Sequence, residues 1–299
     1  SSKSGLERVR RAIKAISTNA QDVEIYRETG WVPDPDHPGK WAYTHARGMI
    51  THEGHRNART DFDGVMRHFN FPDPTEDVDR LKDAWWACSQ VMLQVFHPRI
   101  IGPTLGLHFR TVLEESNWVV VLAGLRESYK TALASLTMHH WGEGWDRGRQ
   151  LDTGTGNGAT APAERKILSM ARGAVAWIDD FTVDKNLELG LKLLDTLIRS
   201  IHNRERRHRL ARDGSHIYGG EAPRCSGLLT SEFDPRNESA RQRSFIVRIN
   251  PGDLDLEVIK ELDSRESRHG RALLTSSLMM WLAQDRDHFV QHYLRGRDC

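Results

Sequence analysis

Apolar positions along this chain change their spacing several times, and each change marks an element. Leu6, Val9, Ile13 and Ile16 recur at intervals of three and four, which predicts a helix over residues 6–18. Between residue 23 and about residue 51 the pattern shortens to strands. Segments 23–26 and 40–44, separated by the proline-rich turn 32–39, predict a hairpin-like β module. The breaker Phe71-Pro-Asp-Pro-Thr75 comes next, with Asp73 or Thr75 as cap for a helix through Val78, Leu81, Trp85, Trp86, Val91 and Val95 that Pro98 stops. A further helix spans about 99–115.

Beyond residue 118 the strand-like runs are continuously apolar rather than alternating: 119–123, 174–178, 227–230 and 245–249. Helical spacing fills the intervals at 162–171 and from 187 to about 199. Strands that are apolar on both sides and separated by helices predict an α/β fold, a mostly parallel sheet with helices on both faces. The remainder, 251–299, is helical, and Leu273, Leu274, Leu278, Trp281 and Leu282 form a stripe assigned to the core. The expected division is a small N-terminal α+β module (1–72), a helical segment (73–117), the α/β core (118–250) and a C-terminal helical part (251–299).

Composition narrows the partners more than the fold. The 299 residues are 38% hydrophobic and 28% charged, enough for one large core and a smaller one. A net charge of +1 excludes coating of nucleic acid by bulk electrostatics, although Arg199, Arg204, Arg206, Arg207, His208, Arg209 and Arg212 fall within one short span. No apolar run approaches the roughly 20 residues of a membrane span. Arg8, Arg10, Arg11 and Lys14 break any apolar segment behind the opening Ser-Ser-Lys-Ser-Gly, so no signal sequence is read there. Cys88, Cys225 and Cys299 are far apart and lack metal-ligand spacing, which points to a reducing, cytoplasmic setting. The nine tryptophans, Trp85, Trp86 and Trp141 among them, are assigned to packing.

Candidate chemistry sits where strand 119–123 runs into Gly124-Leu-Arg-Glu-Ser-Tyr-Lys-Thr131. Backbone amides at a helix start gather phosphate oxygens, a lysine bridges terminal phosphates and a hydroxyl holds Mg²⁺. Gly124, Ser128, Tyr129, Lys130 and Thr131 are the expected nucleotide contacts. Strand 174–178 ends in Asp179 and Asp180; the first is expected to share Mg²⁺ with Thr131, the second to polarise the attacking water. At the end of strand 227–230, Ser231 and Glu232 are candidate sensors of the terminal phosphate. Arg241 or Arg243 are candidates for completing a neighbouring subunit's site. The glycine-rich run 153–158 follows polar residues rather than a strand and is read as a loop.

Several pieces, in order, resemble one family: Ile25-Tyr-Arg-Glu-Thr-Gly-Trp31, Trp41-Ala-Tyr-Thr-His45, the 122–131 loop, His140-Trp-Gly142, Ile178-Asp-Asp-Phe181, 197–203, and Leu229-Thr-Ser-Glu-Phe-Asp-Pro235 through Ser239-Ala-Arg-Gln-Arg243. Over roughly residues 20–285 the chain is similar to helicase-like ATPases of integrative and conjugative mobile elements, a family of unassigned function. The P-loop (ASCE/AAA+-like) domain of that family resembles superfamily-three helicases. The resemblance implies an ATP- and Mg²⁺-dependent enzyme working as a homo-oligomer, a hexameric ring, on single-stranded DNA. It assigns Lys130 and Thr131 to nucleotide and Mg²⁺, Asp179 and Asp180 to the acidic pair, Ser231 or Glu232 to the sensor, and Arg243 to the finger acting in trans. It also implies a pore hairpin between the acidic and sensor strands. Residues 202–224 hold that place, with Arg212-Asp-Gly-Ser215 as turn and Arg206, Arg207, Arg209 and His216 as nucleic-acid contacts.

Two departures bear on activity. Glu127 and Tyr129 stand where the tightest phosphate loops carry glycine, and Ser231-Glu232 stands where superfamily-three helicases carry asparagine. The alternatives are a P-loop scaffold that oligomerises and recruits partners without hydrolysis and, third, a P-loop kinase using 204–212 as a lid.

Overall fold

The computed structural model describes residues 2–17, 23–86, 88, 91–146, 151–152, 161–181, 187–205, 208–210, 217–219 and 221–297. Helix α1 (Ser2–Ile16) forms where the periodicity placed it, but its stripe Leu6, Val9, Ile13 and Ile16 is exposed. An antiparallel meander follows: β1 (Gly30–Pro33), β2 (Trp41–His45), β3 (Gly48–Thr51) and β4 (Gly54–Arg56). The first strand of the expected hairpin therefore lies at 30–33 instead of 23–26, with Gly30 opposite Thr44. Trp31 explains the shift. Its side chain is buried, donates from Nε1 to the Val112 carbonyl at 2.9 Å and meets Tyr43 edge-on, whereas Val23 and Ile25 stay exposed. Tyr26 contributes only an isolated bridge to Thr60.

Helix α2 (Val78–Trp85) is capped by Asp77, whose carboxylate accepts from the amides of Asp79 and Arg80. Neither Asp73 nor Thr75 takes that role; the Thr75 hydroxyl accepts from the Asp77 amide one step earlier. After α3 (Val91–Val95), Pro98 occupies the first turn of α4 (Pro98–Leu113), where its missing N–H removes no helical bond. Trp85 and Trp86 are 38% and 59% exposed and so lie outside the core, although Trp85 meets Phe109 with ring centroids 6.1 Å apart.

The large sheet is built from β5 (Val119–Ala123), β6 (Leu151–Asp152), β7 (Val175–Phe181), β10 (Ser226–Ser231) and β11 (Phe245–Arg248). Between them come α5 (Lys130–Met138), α6 (Ala161–Met170), α7 (Leu187–Asn203), a hairpin of β8 (His208–Leu210) and β9 (Ile217–Gly219), and α8 (Glu238–Arg241). Spatial order is β11-β5-β10-β7-β6, and every pairing is parallel. All residues of β5 and β10 are buried, as the unbroken apolar runs require when both faces are covered. The glycine run 153–158 lies outside the described residues.

Helices α9 (Leu256–Leu262), α10 (Arg265–Ala283) and α11 (Arg286–Arg297) close the chain. Helix α10 packs against α2, β2, β3 and the short turn His139–Trp141. Within its apolar stripe Leu273 and Leu282 are buried and Leu274 and Leu278 half-buried, while Trp281 is 49% exposed and lies against Phe289 of α11 at 4.0 Å. One continuous apolar cluster runs from Trp31 to Ala283. His140-Trp141-Gly142 belongs to that core. His140 stacks on His108 at 4.2 Å, and burial pulls the His108 ring down to about 3, so it stays uncharged. A Cβ on Gly142, at φ 141°, would lie 2.1 Å from the His68 carbonyl. Among the described residues no helix is long and apolar enough to cross a membrane.

Candidate nucleotide site

Strand β5 delivers the chain to Gly124, and only glycine fits there. A Cβ would fall 2.2 Å from the Ile249 carbonyl oxygen, while the Gly124 amide donates to the Ser231 carbonyl at 3.0 Å. The loop then turns through Glu127 at φ 63° and Tyr129 at φ 60°. These are the two positions where the sequence departs from glycine, and the backbone nevertheless takes the left-handed conformation that glycine adopts freely. Holding side chains in that conformation costs roughly 1–2 kcal/mol each. Tyr129 recovers part of it by packing its ring against the core, and its carbonyl accepts the Leu133 amide at 3.1 Å, starting α5. Glu127 is exposed. Ser128, buried, donates to the Leu125 carbonyl at 2.8 Å and holds the loop curled over the positive end of α5.

Lys130 lies across this loop. Its ammonium donates to the Leu125 carbonyl at 2.8 Å and to Ser128 Oγ at 3.3 Å. One residue on, Thr131 Oγ1 donates to Asp179 Oδ1 at 3.1 Å, joining the start of α5 to β7. Asp179 is 5% exposed and also accepts from Thr230 on β10. The sheet order causes this triple meeting: β10 stands between β5 and β7, so its carboxyl end fills the gap between loop and acid. Thr131 and Asp179 bring a hydroxyl and a carboxylate together, the hard oxygen donors that could hold a Mg²⁺ ion. Asp180 follows in the same strand; its side chain is outside the described set.

The expected sensors divide their roles. Ser231 Oγ donates to the Phe233 carbonyl at 2.7 Å and accepts the Phe233 amide at 3.1 Å, so it shapes its own turn. Glu232 accepts from Arg126 Nε at 2.8 Å, tying the tip of the phosphate loop to the end of β10. Sequence reading missed Thr230 and Arg126. The signal for Thr230 was present in Leu229-Thr230-Ser231, because adjacent strand residues face opposite sides and only one of the two hydroxyls can face Asp179.

Arg243 is at the other end of the sheet. Phe245 pairs with Val120 in parallel, so Arg243, in the turn just before β11, lies beyond the amino end of the sheet, opposite the end of β5 that carries the loop. There its guanidinium donates to Asn203 Oδ1 at 3.1 Å and to the carbonyl and hydroxyl of Ser239, both at 2.7 Å. Arg241 instead donates to the Pro235 carbonyl. The hairpin expected between the acidic and sensor strands is present, with His208 opposite Gly219 and Leu210 opposite Ile217. Arg209 is in its first strand; its side chain, and all of Arg206, Arg207, the turn 212–215 and His216, lie outside the described residues.

A cleft of about 890 Å³ between the N-terminal sheet and α6 includes Glu28, Lys166, Glu221 and Arg224. These four charges are paired with one another: Arg224 with Glu28 at 2.9 Å and Lys166 with Glu221 at 2.8 Å. Such internal pairing suits a structural seam better than a reaction site.

No protein-family model matches the chain, and no curated protein is significantly similar to it. Among solved structures it is similar to the SCCmec type IV Cch active helicase, with 14% identity and a TM-score of 0.54 over 97% of this chain and 52% of that one. The fold is helicase-like. Weaker likenesses are to the apo C-terminal region of NrS-1 (12% identity, TM-score 0.38, 97% and 65% covered) and to the JCV helicase (12%, 0.37, 73% and 60%). The chain thus spans about half the length of the SCCmec helicase.

Proposed function

We propose that this chain is the motor part of an oligomeric, Mg²⁺-dependent ATPase of the superfamily-three helicase type, moving along single-stranded DNA in the replication of a mobile element within a reducing, cytoplasmic setting. The observation that carries the reading is the contact of Thr131 with Asp179 at 3.1 Å beside Lys130, on a loop that leads from a buried parallel strand into a helix. Residues 118–250 are the ATPase core in this reading, with 1–72, 73–117 and 251–299 as its accessory parts.

Each described group has a task in it. The loop amides and Lys130 hold the terminal phosphates of ATP, and Gly124, Ser128 and Tyr129 set the curvature that aims those amides. Bound Mg²⁺ supplies neutralisation of charge on the phosphate oxygens. Thr230 fixes the Asp179 carboxylate so that one oxygen faces Thr131, and Asp180 orients the attacking water. Glu232 positions the loop through Arg126. Arg243 serves a neighbouring copy, since it stands too far from its own loop to reach it. The hairpin with Arg206, Arg207, Arg209 and His216 follows the phosphate backbone in the pore of a hexamer.

Lys130→Ala should abolish DNA-stimulated ATP turnover, at least a hundredfold, with an unchanged thermal midpoint. A purified wild-type protein with DNA and Mg²⁺ that turns over no ATP sinks the enzyme reading. The exposed carboxylate of Glu127 on the loop favours one alternative, a scaffold that binds nucleotide without hydrolysing it. Titration calorimetry with Mg-ATP, run beside the turnover assay, separates the two.

A further inference from the structure

The N-terminal meander brings two turns to one end of its sheet. Because β1–β2 and β3–β4 are both hairpins of a single antiparallel run, the turn 34–40 and the turn 51–54 project side by side. The first presents Asp34 and His37, the second His52, and one ligand atom from each lies within 4.8 Å of the other two. We propose that Asp34, His37 and His52 form a binding site for a divalent transition-metal ion of the Zn²⁺ class, which staples these two turns together.

The geometry of the pair that is already closest sets the ion's size. Two ligands about 2.0–2.1 Å from a tetrahedral metal stand about 3.3 Å apart, and His37 Nδ1 lies 3.2 Å from Asp34 Oδ2. The ligand atom of His52 lies within 4.8 Å of the other two, so it has to approach by at most about 1.5 Å to reach the tetrahedral spacing of about 3.3 Å; ring centroids of His37 and His52 are 4.8 Å apart. Its Nδ1 is buried without a hydrogen-bond partner, the condition of a nitrogen that lacks its ligand.

Around these three groups stands the outer layer that a metal site needs. Asp34, with a fully buried side chain, uses Oδ1 for Arg56 Nη2 at 2.6 Å and for the Asp36 amide at 3.0 Å, which leaves Oδ2 for the ion. His37 Nε2 faces Glu53 Oε2 at 3.7 Å, the arrangement in which a carboxylate steadies an imidazole whose other nitrogen coordinates. Both turns are fixed from within: Asp34 N to Lys40 O at 2.9 Å, and Thr51 Oγ1 to Gly54 O at 3.0 Å. Two imidazoles and one carboxylate suit Zn²⁺, Co²⁺ or Ni²⁺ and disfavour Mg²⁺, which prefers oxygen. This site is chemically and spatially separate from the Thr131–Asp179 pair, so it stands or falls apart from the ATPase reading.

The test is calorimetric titration of the whole chain with Zn²⁺, beside His37→Gln, His52→Gln and the double variant, with Mg²⁺ as control. Wild type should bind one equivalent that each single variant weakens at least tenfold and the double variant loses, and Zn²⁺ should raise the thermal midpoint of wild type alone. Equal binding by the double variant, or none by wild type, overturns the proposal. In case a variant misfolds, diethylpyrocarbonate labelling of the unaltered protein read by mass spectrometry gives a second answer. Zn²⁺ should protect His37 and His52 from modification, and unchanged labelling of both rules the site out.

Discussion

The two ends of the parallel sheet handle their polar groups in opposite ways. At the carboxyl ends of β5, β10 and β7, groups far apart in sequence meet: Thr131, Asp179 and Thr230 touch, and Arg126 closes onto Glu232. At the amino end, among the described residues, Arg243 is held by neutral groups, the carbonyl and hydroxyl of Ser239 one turn back and the side-chain oxygen of Asn203 at the end of α7. The first arrangement is already assembled within one chain. The second is a cation held in reserve, whose hydrogen bonds keep it oriented but give it no anion among the partners described. The contrast teaches that, in the proposed enzyme, a subunit owns the means to grip a triphosphate and must borrow the last charge needed to break it.

The largest way to break that contrast is Arg243→Ala. Removal of a finger acting in trans costs on the order of 10³-fold in turnover while leaving nucleotide affinity unchanged. Mixing that variant with Asp180→Asn should restore part of the activity, because a junction between the two can hold one intact half-site from each. Steady-state turnover of the mixture measures it, and a mixture no more active than its parts returns Arg243 to a purely local role. A smaller effect is expected at Glu127. Glu127→Gly removes the left-handed strain and a negative charge from the phosphate loop, which should tighten Mg-ATP several-fold, from roughly 1 kcal/mol of relieved repulsion. Glu127→Gln should recover only the electrostatic share, and calorimetry of the two variants divides backbone from charge. The smallest expected effect concerns Arg126 and Glu232. Arg126 is 59% exposed, so a double-mutant cycle on thermal stability should give under about 1 kcal/mol. A larger coupling appearing only with nucleotide bound would move this pair from the unbound loop to the working one.

How much of this was legible beforehand depended on whether a feature is local. Continuous apolar runs named the strands, and the Lys130-Thr131 and Asp179 placements followed from where those runs end. Strand alternation at Leu229-Thr230-Ser231 allowed one of the two hydroxyls to face the acid, but sheet order was not legible, so nothing said that β10 stands between the loop and Asp179. The strand expected at 23–26 failed for a similar reason: alternation there is real, but Trp31 has the core to enter and Val23 does not. Which tryptophans enter the core was not legible either: Trp141 is buried while Trp85 and Trp86 are exposed, a difference set by what neighbours each element and contained in no spacing rule. Conversely, the left-handed turns at Glu127 and Tyr129 were implied by the glycine positions they replace, since the loop's path leaves the backbone no other conformation there.

Strand β11 (Phe245–Arg248) is short, and it lies between the turn that holds Arg243 and the carbonyl of Ile249 that crowds Gly124. The Ile249 amide is also bonded to the carbonyl of Ala123, at 2.8 Å, so the two strands are locked at the root of the phosphate loop. In the proposed ring this short segment would be the covalent link between the arginine offered to the next subunit and the loop of its own. On that proposal, a pull on Arg243 from the next subunit has only the stretch 243–249 of backbone to cross before it meets the floor of this subunit's own cradle.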